Sequence, residues 1–180
     1  SATNDSAFAS MNSDIAVPTN MSLANMPEQL KEAVKTFVPG GVYGPYREGD
    51  TYFIYKYGGT RIDSLSSAKA SHILVRAENQ SDSAKAAAKA KAETILGQIR
   101  AGANFEALAA TTSADQGSAQ RGGDVGYFQN NGAMVKPFEE AVFSVSAPGL
   151  INKVVESQFG YHIIKVTAPK SNVLYHLATI

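Results

Sequence analysis

Two rhythms of apolar and polar residues divide the chain. From Ser1 to Asn25 the residues are mostly Ser, Asn, Asp and Ala, and only Ile15 to Val17 has the apolar character of a short strand. Leu30, Val34 and Phe37 then recur at helical spacing behind Pro27, a residue suited to a first helical turn, and Pro39-Gly40-Gly41 supplies the stop. Val42 to Tyr46 and Thr51 to Tyr57 are β-branched and aromatic runs separated by Arg47-Glu48-Gly49-Asp50, which predicts a hairpin. Gly58 to Ser67 reads as a linker.

Beyond it the elements are better marked. Ser71 to Arg76 reads as a strand, and Ser81 caps an Ala- and Lys-rich helix running to Ala101 with Ala88, Ala92, Ile95, Leu96 and Ile99 on its apolar face. Gly102 closes that helix and Asn104 caps the next, which carries Phe105, Leu108 and Ala109 inward. A polar, glycine-rich stretch from Thr112 to Gly123 leads to a strand over Asp124 to Phe128, a short helix over Pro137 to Phe143 and an apolar strand over Tyr161 to Val166. The order strand, helix, helix, loop, strand, helix, strand predicts an α+β domain on a small sheet.

Composition narrows the functional classes. Apolar residues make up 44% and charged residues 18%, the balance of a folding globular chain. Lys+Arg and Asp+Glu both number 16, so no net charge draws the chain to nucleic acid, which is excluded as an expected partner. With no cysteine there are no disulfides, thiolate nucleophiles or cysteine metal sites, a composition that suits an envelope protein. No apolar run reaches the roughly 20 residues of a membrane span. Ser1 is not followed by a signal-like pattern, and without an initiator Met the chain reads as a piece of something longer whose anchor or targeting signal would lie outside it.

Five segments in order, Lys69-Ala-Ser-His-Ile-Leu-Val75, Gly102-Ala-Asn-Phe-Glu-Ala-Leu-Ala109, Gly122-Gly-Asp-Val-Gly-Tyr-Phe128, Met134 to Phe143 and Phe159-Gly-Tyr-His-Ile-Ile-Lys-Val166, resemble the parvulin family of peptidyl-prolyl cis/trans isomerases. The resemblance implies the α+β parvulin fold, a small antiparallel or mixed four-stranded sheet surrounded by about four helices. It also implies an activity that needs neither metal nor cofactor. The X-Pro amide has a rotation barrier of ~18–20 kcal/mol, and a catalyst lowers it by binding the twisted amide better than either planar isomer. That calls for an apolar socket for the proline ring and polar groups around the amide.

Strand periodicity puts His72 on one face with Leu74, and His162 on one face with Ile164, so the two rings meet if the strands are neighbours. A histidine on an apolar strand is more often a core residue than a catalyst, and both are read here as scaffolding of the active site. By the resemblance, they are the paired histidines beneath the site, Ser157 supplies the hydroxyl beside them, and Val125, Met134 and Phe138 form the proline socket with Phe159 at its rim. The family's acidic or thiol position in the loop maps to Asp115 by Ser-x-Asp matching and to Gln116 by ungapped counting from Gly122. Asp115 is the expectation. Phosphate-directed parvulins carry a basic cluster after the first strand. Here Arg76 stands there alone, while Lys85, Lys89 and Lys91 read as a solvated helix face.

The N-terminal third resembles the back half of the same unit, with Phe53 to His162 and Pro39 to Pro148 both separated by 109 positions (162 − 53 and 148 − 39). The expected organisation is a degenerate, non-catalytic half-parvulin and linker over 1–66, a complete isomerase domain over 67–169 and the start of a following strand over 170–180. Asn172 to Ile180 could complete the half-unit within one chain or by strand exchange in a homodimer. Tandem active and inactive units resemble periplasmic foldases of the SurA and PpiD type. That likeness implies a periplasmic location, a tether to the inner membrane outside this segment, and unfolded proline-containing envelope proteins as clients. The alternative is a chaperone-like module that binds unfolded polypeptide without turnover.

Overall fold

A computed structural model describes residues 18–179; the strand expected over Ile15 to Val17 lies outside them. The described elements in chain order are β1 (Pro18–Met21), α1 (Glu28–Ala33) continuing into a 3-10 turn (Val34–Thr36), β2 (Val42–Glu48), β3 (Thr51–Val75), α2 (Asp82–Arg100), α3 (Phe105–Thr112), α4 (Gln116–Ala119), β4 (Asp124–Gln129), α5 (Lys136–Phe143), β5 (Gly149–Leu150), β6 (Val155–Ser157) and β7 (Gly160–Thr179). This is the α+β class expected. No helix among the described residues is long and apolar enough to cross a membrane.

Two compact units divide the chain, one comprising 65–171 and the other 1–64 together with 172–180. In the larger unit, β4 pairs antiparallel with β3 from Ser67↔Gln129 to Ser71↔Asp124, and β5 and β6 pair antiparallel with β7. Alternation along β3 and β7 sorts their side chains to the two faces of this sheet. On one face Ala68, Ala70, Ile164 and Val166 pack under Phe138 and Val142 of α5. On the other, Ile73, Val75 and Ile163 pack under Ala88, Ala92, Ile95 and Leu96 of α2 and Phe105 of α3. The helix starts are capped as the sequence indicates: Ser81 Oγ accepts from Ala84 N at 3.2 Å and Asn104 Oδ1 from Ala107 N at 2.7 Å.

The smaller unit has its own core. Leu30, Val34 and Met26 pack against Tyr55, Tyr57 and Leu177. β2 pairs with β3, and β1 pairs with the end of β7 from Pro18↔Ala178 to Met21↔Tyr175. Segment 172–179 pairs with β1 of the same chain.

Two elements differ from the sequence reading. Gly58 to Ser67, read as a linker, belongs to β3, and β7 continues 13 residues past the expected end at Val166, through Pro169 to Thr179 (179 − 166). Partners distant in sequence supply the missing hydrogen bonds. Ser66 exchanges bonds with Asn130, and Asn172 Nδ2 donates to the Asp63 carbonyl at 3.3 Å. The loop over Thr112 to Gly123 also contains α4, a single turn that carries Asp115 at its N-cap.

Candidate active site

β3 and β7 bring His72 and His162 side by side, with stacked rings 5.2 Å apart and Nδ1 to Nδ1 at 3.0 Å. Both are buried. The Phe138 ring on α5 stands edge-on to each, 5.5 Å from either centroid. Gly123 is what permits this closeness between β4 and β3. Its φ is +81°, His72 N donates to its carbonyl at 2.9 Å, and any Cβ there would collide with the His72 carbonyl oxygen.

Asp115 caps α4, its Oδ1 accepting from Gly117 N at 3.1 Å and its Oδ2 from Ser118 Oγ at 2.5 Å. The same Oδ2 lies 2.8 Å from His72 Nε2. Burial opposes ionisation of this carboxyl, but the bonds from His72, Ser118 and Gly117 outweigh it and hold the group below the usual aspartate range. An ionised Asp115 only accepts, so His72 Nε2 donates to it. A single direction of donation then satisfies every partner. Phe159 N donates to Ser157 Oγ at 3.1 Å, Ser157 Oγ to His162 Nε2 at 2.7 Å, His162 Nδ1 to His72 Nδ1, and His72 Nε2 to Asp115.

Burial and the neighbouring His72 push the His162 pKa down to about 4, against a smaller opposing pull from Asp115. His162 is therefore neutral at physiological pH, as its acceptor role toward Ser157 requires.

These groups floor a groove of about 630 Å3 whose lining includes Val125 of β4, Met134 and Phe138 at α5, and Phe159 between β6 and β7. Phe159 is half-exposed at the rim. The groove thus gathers seven of the eight residues singled out in the sequence. The eighth, Ser157, bonds to His162 from the side. Gln116 Nε2 instead donates to the Ser113 carbonyl at 3.2 Å, and Gln116 is not in the groove lining.

Sequence reasoning missed Ser118 and Ser113. Ser113 Oγ accepts from Leu74 N at 3.1 Å and Asp115 N at 3.3 Å, tying the loop to β3. The available signal was a Ser three residues beyond a candidate cap, a common pattern in turns.

Comparison with known proteins gives the family and the fold. Residues 52–170 match the family described as PPIC-type PPIASE domain. The foldase protein PrsA of Exiguobacterium sibiricum is 45% identical over 102 residues, 57% of this chain and 30% of that protein. The chaperone SurA of Xylella fastidiosa is 32% identical over 153 residues, 80% of this chain and 32% of that protein. The chain thus spans about a third of the length of these relatives. A crystal structure titled as a PpiC-type peptidyl-prolyl cis-trans isomerase domain shares the fold, with a TM-score of 0.52 and 23% identity over 59% of this chain and 93% of that one.

Proposed function

Because the chain belongs to the PPIC-type peptidyl-prolyl isomerase family, we propose that its groove binds a proline ring between Met134, Phe138 and Val125 and speeds rotation of the preceding amide without covalent chemistry. One observation carries this reading: an apolar groove whose floor is a fully partnered polar chain from Ser157 through His162 and His72 to Asp115. A planar amide is more charge-separated than a twisted one, so moving it from water into an apolar socket favours the twisted form. Each ~1.4 kcal/mol removed from the barrier gives tenfold in rate. In this scheme His72 and His162 position and polarise Asp115 rather than carry protons, and Asp115 is the charged group that faces the amide.

The smaller unit acts, in the same proposal, as a non-catalytic parvulin-like partner. Its support is register. Val155↔His162, Glu156↔Tyr161 and Ser157↔Gly160 in one hairpin match Tyr46↔Phe53, Arg47↔Tyr52 and Glu48↔Thr51 in the other, every residue displaced by 109 (155 − 46 and 162 − 53 alike). Phe53 occupies the place of His162. The third histidine, His176, lies against Gly58 and pairs with Asn20 at 3.0 Å, five positions along β3 from Phe53 (58 − 53). We further propose envelope proteins in unfolded, proline-containing form as clients, in line with the foldase and chaperone relatives, and action in the periplasm from a membrane tether.

NMR exchange spectroscopy on an Ala-Pro peptide with the whole chain is the test. Exchange should accelerate, Asp115→Asn should reduce it by about tenfold or more, and Gln116→Ala should leave it within about twofold. A half-exposed Phe159 would equally suit capture of apolar segments. Binding of unfolded polypeptide with no acceleration at any protein concentration would replace the isomerase reading by that one.

A further inference from the structure

The turn between β4 and α5 forms one wall of the groove, with Gly132, Ala133 and Met134 in its lining. Asn131, in the same turn, is the only asparagine of the sequence that precedes a glycine. The side-chain amide of an asparagine is open to attack by the backbone nitrogen of the next residue, and a glycine has no side chain to obstruct that approach. Gly132 is held to its identity by backbone shape rather than by packing: its φ is +84°, and the space around it is open. Asn131 and Gly132 are both exposed, so water has access to them.

Two hydrogen bonds equip this pair for the attack. Asn131 Oδ1 accepts from Ala133 N at 3.2 Å, an Asx turn closed around Gly132. Negative charge that develops on that oxygen as the amide is attacked meets the same N–H. Gly132 N donates to Glu139 in the first turn of α5, with Oε2 at 3.1 Å and Oε1 at 3.4 Å. The proton that the attacking nitrogen must lose therefore points at a carboxylate already within reach.

We infer that Asn131 is a self-modification site, converted with the help of Glu139 to aspartate and isoaspartate, and that the conversion loosens this wall of the groove. The Gly132 nitrogen bonds to Asn131 Cγ while its proton passes to Glu139. The Cγ–Nδ2 bond then breaks, and the amide leaves as ammonia with the proton returned from Glu139. Water opens the resulting succinimide at one carbonyl or the other, giving aspartate or isoaspartate. Either product sets a new carboxylate beside Glu139, and isoaspartate also lengthens the backbone by a carbon. Like charge and altered spacing both weaken the tie between Gly132 and α5 that holds the turn. The modification itself is independent of the isomerase reading, and only its effect on exchange rests on it.

Incubation of the whole chain near neutral pH, followed by peptide mapping with mass spectrometry, tests the site. The peptide carrying Asn131 should gain about 1 Da ahead of every other asparagine peptide, with an isoaspartate form resolved by chromatography. Glu139→Gln keeps the side chain's shape but removes the base, and should slow the gain by at least about threefold. Asn131→Gln should abolish it at this position. If another asparagine changes first, or if Glu139→Gln leaves the rate unchanged or raises it, Glu139 is merely an anchor of the turn and the inference is overturned. Peptide exchange followed by NMR then reads the consequence: aged native chain should be at least about twofold slower than Asn131→Gln chain aged alongside it. Equal exchange in the two would overturn the effect on the groove while the isomerase reading stands. If fresh chain accelerates no exchange but the gain at Asn131 still depends on Glu139, the modification site survives and the isomerase reading falls.

Discussion

The β6–β7 and β2–β3 hairpins hold their residues in the same register, yet they support different interiors. On β7, His162 faces His72, Ser157 and Phe138, and every polar atom of the pair is partnered. On β3, Phe53 stacks with Tyr55 at 6.2 Å, and Tyr55 meets Tyr46 at a tilt at 5.9 Å, in an aromatic cluster. The difference extends to the helices. Met26 and Leu30 of the smaller unit are buried, whereas Met134 stays half-buried and forms a groove wall. The same hairpin register thus borders two different interiors. A polar chain lies beneath an open groove in the larger unit, and aromatic side chains pack around the corresponding position in the smaller.

Exchanging the filler breaks the comparison most severely. His162→Phe should give the larger unit the smaller one's residue without its surroundings. The Nδ1 of buried His72 and the Ser157 hydroxyl would lose their partner, at about 1–3 kcal/mol per orphaned group. Urea unfolding should show a loss of about 2–4 kcal/mol, with peptide exchange reduced by at least about tenfold. A variant of unchanged stability would mean that the polar chain carries no structural weight.

How much of this could be read from the sequence depends on range. The ordered motifs around His72, Asn104, Asp124, Phe138 and His162 indicate the fold because each combines a local signal, such as a cap, a strand period or a glycine turn, with the next. Gly58 to Ser67 fails as a linker because Gly58-Gly59 looks like punctuation, while its partners lie about 60 or 110 positions away (130 − 66 and 172 − 63). Pro169 misleads in the same way. The residues of the polar chain are legible but its direction is not, since that follows from Asp115 being held ionised by its bonds with His72, Ser118 and Gly117 at the start of a single-turn helix. Lys85 reads as part of a solvated helix face yet is half-buried in the fold, because helical periodicity gives a residue's face and not what an adjoining loop brings beside it.

Acid sharpens the comparison next. His162 titrates at about 4 in the folded chain and at its ordinary 6.5 when unfolded. Below 6.5 the unfolded state binds more protons, so stability should fall as pH drops from 6.5 toward 4, by about 3 kcal/mol in all. Asp115 acts in a lower window. Its depressed pKa gives stability that is present above 3.8 and lost as pH falls through the folded value beneath it. Urea melts at stepped pH should show the upper loss in the native chain and not in His162→Phe, because a phenylalanine ring has no proton to titrate. An equal slope in both proteins would place the effect elsewhere.

The smallest expected effect comes from the reverse exchange. Phe53→His restores the missing residue to the smaller unit, and the isomerase proposal predicts no gain in exchange from it. The new imidazole would have Tyr46 opposite in register and Glu48 at the counterpart of Ser157, with no second histidine at the counterpart of His72, since His176 sits five positions away against Gly58. A polar ring in a half-buried aromatic site should cost about 1 kcal/mol. The decisive background is His162→Phe, where exchange from the larger unit is already suppressed. Any acceleration that Phe53→His brings there would show that the smaller unit needs only its histidine to work. Continued absence of exchange, with the modest stability loss, would show that a socket needs the whole polar chain beneath it and not one ring in the right register.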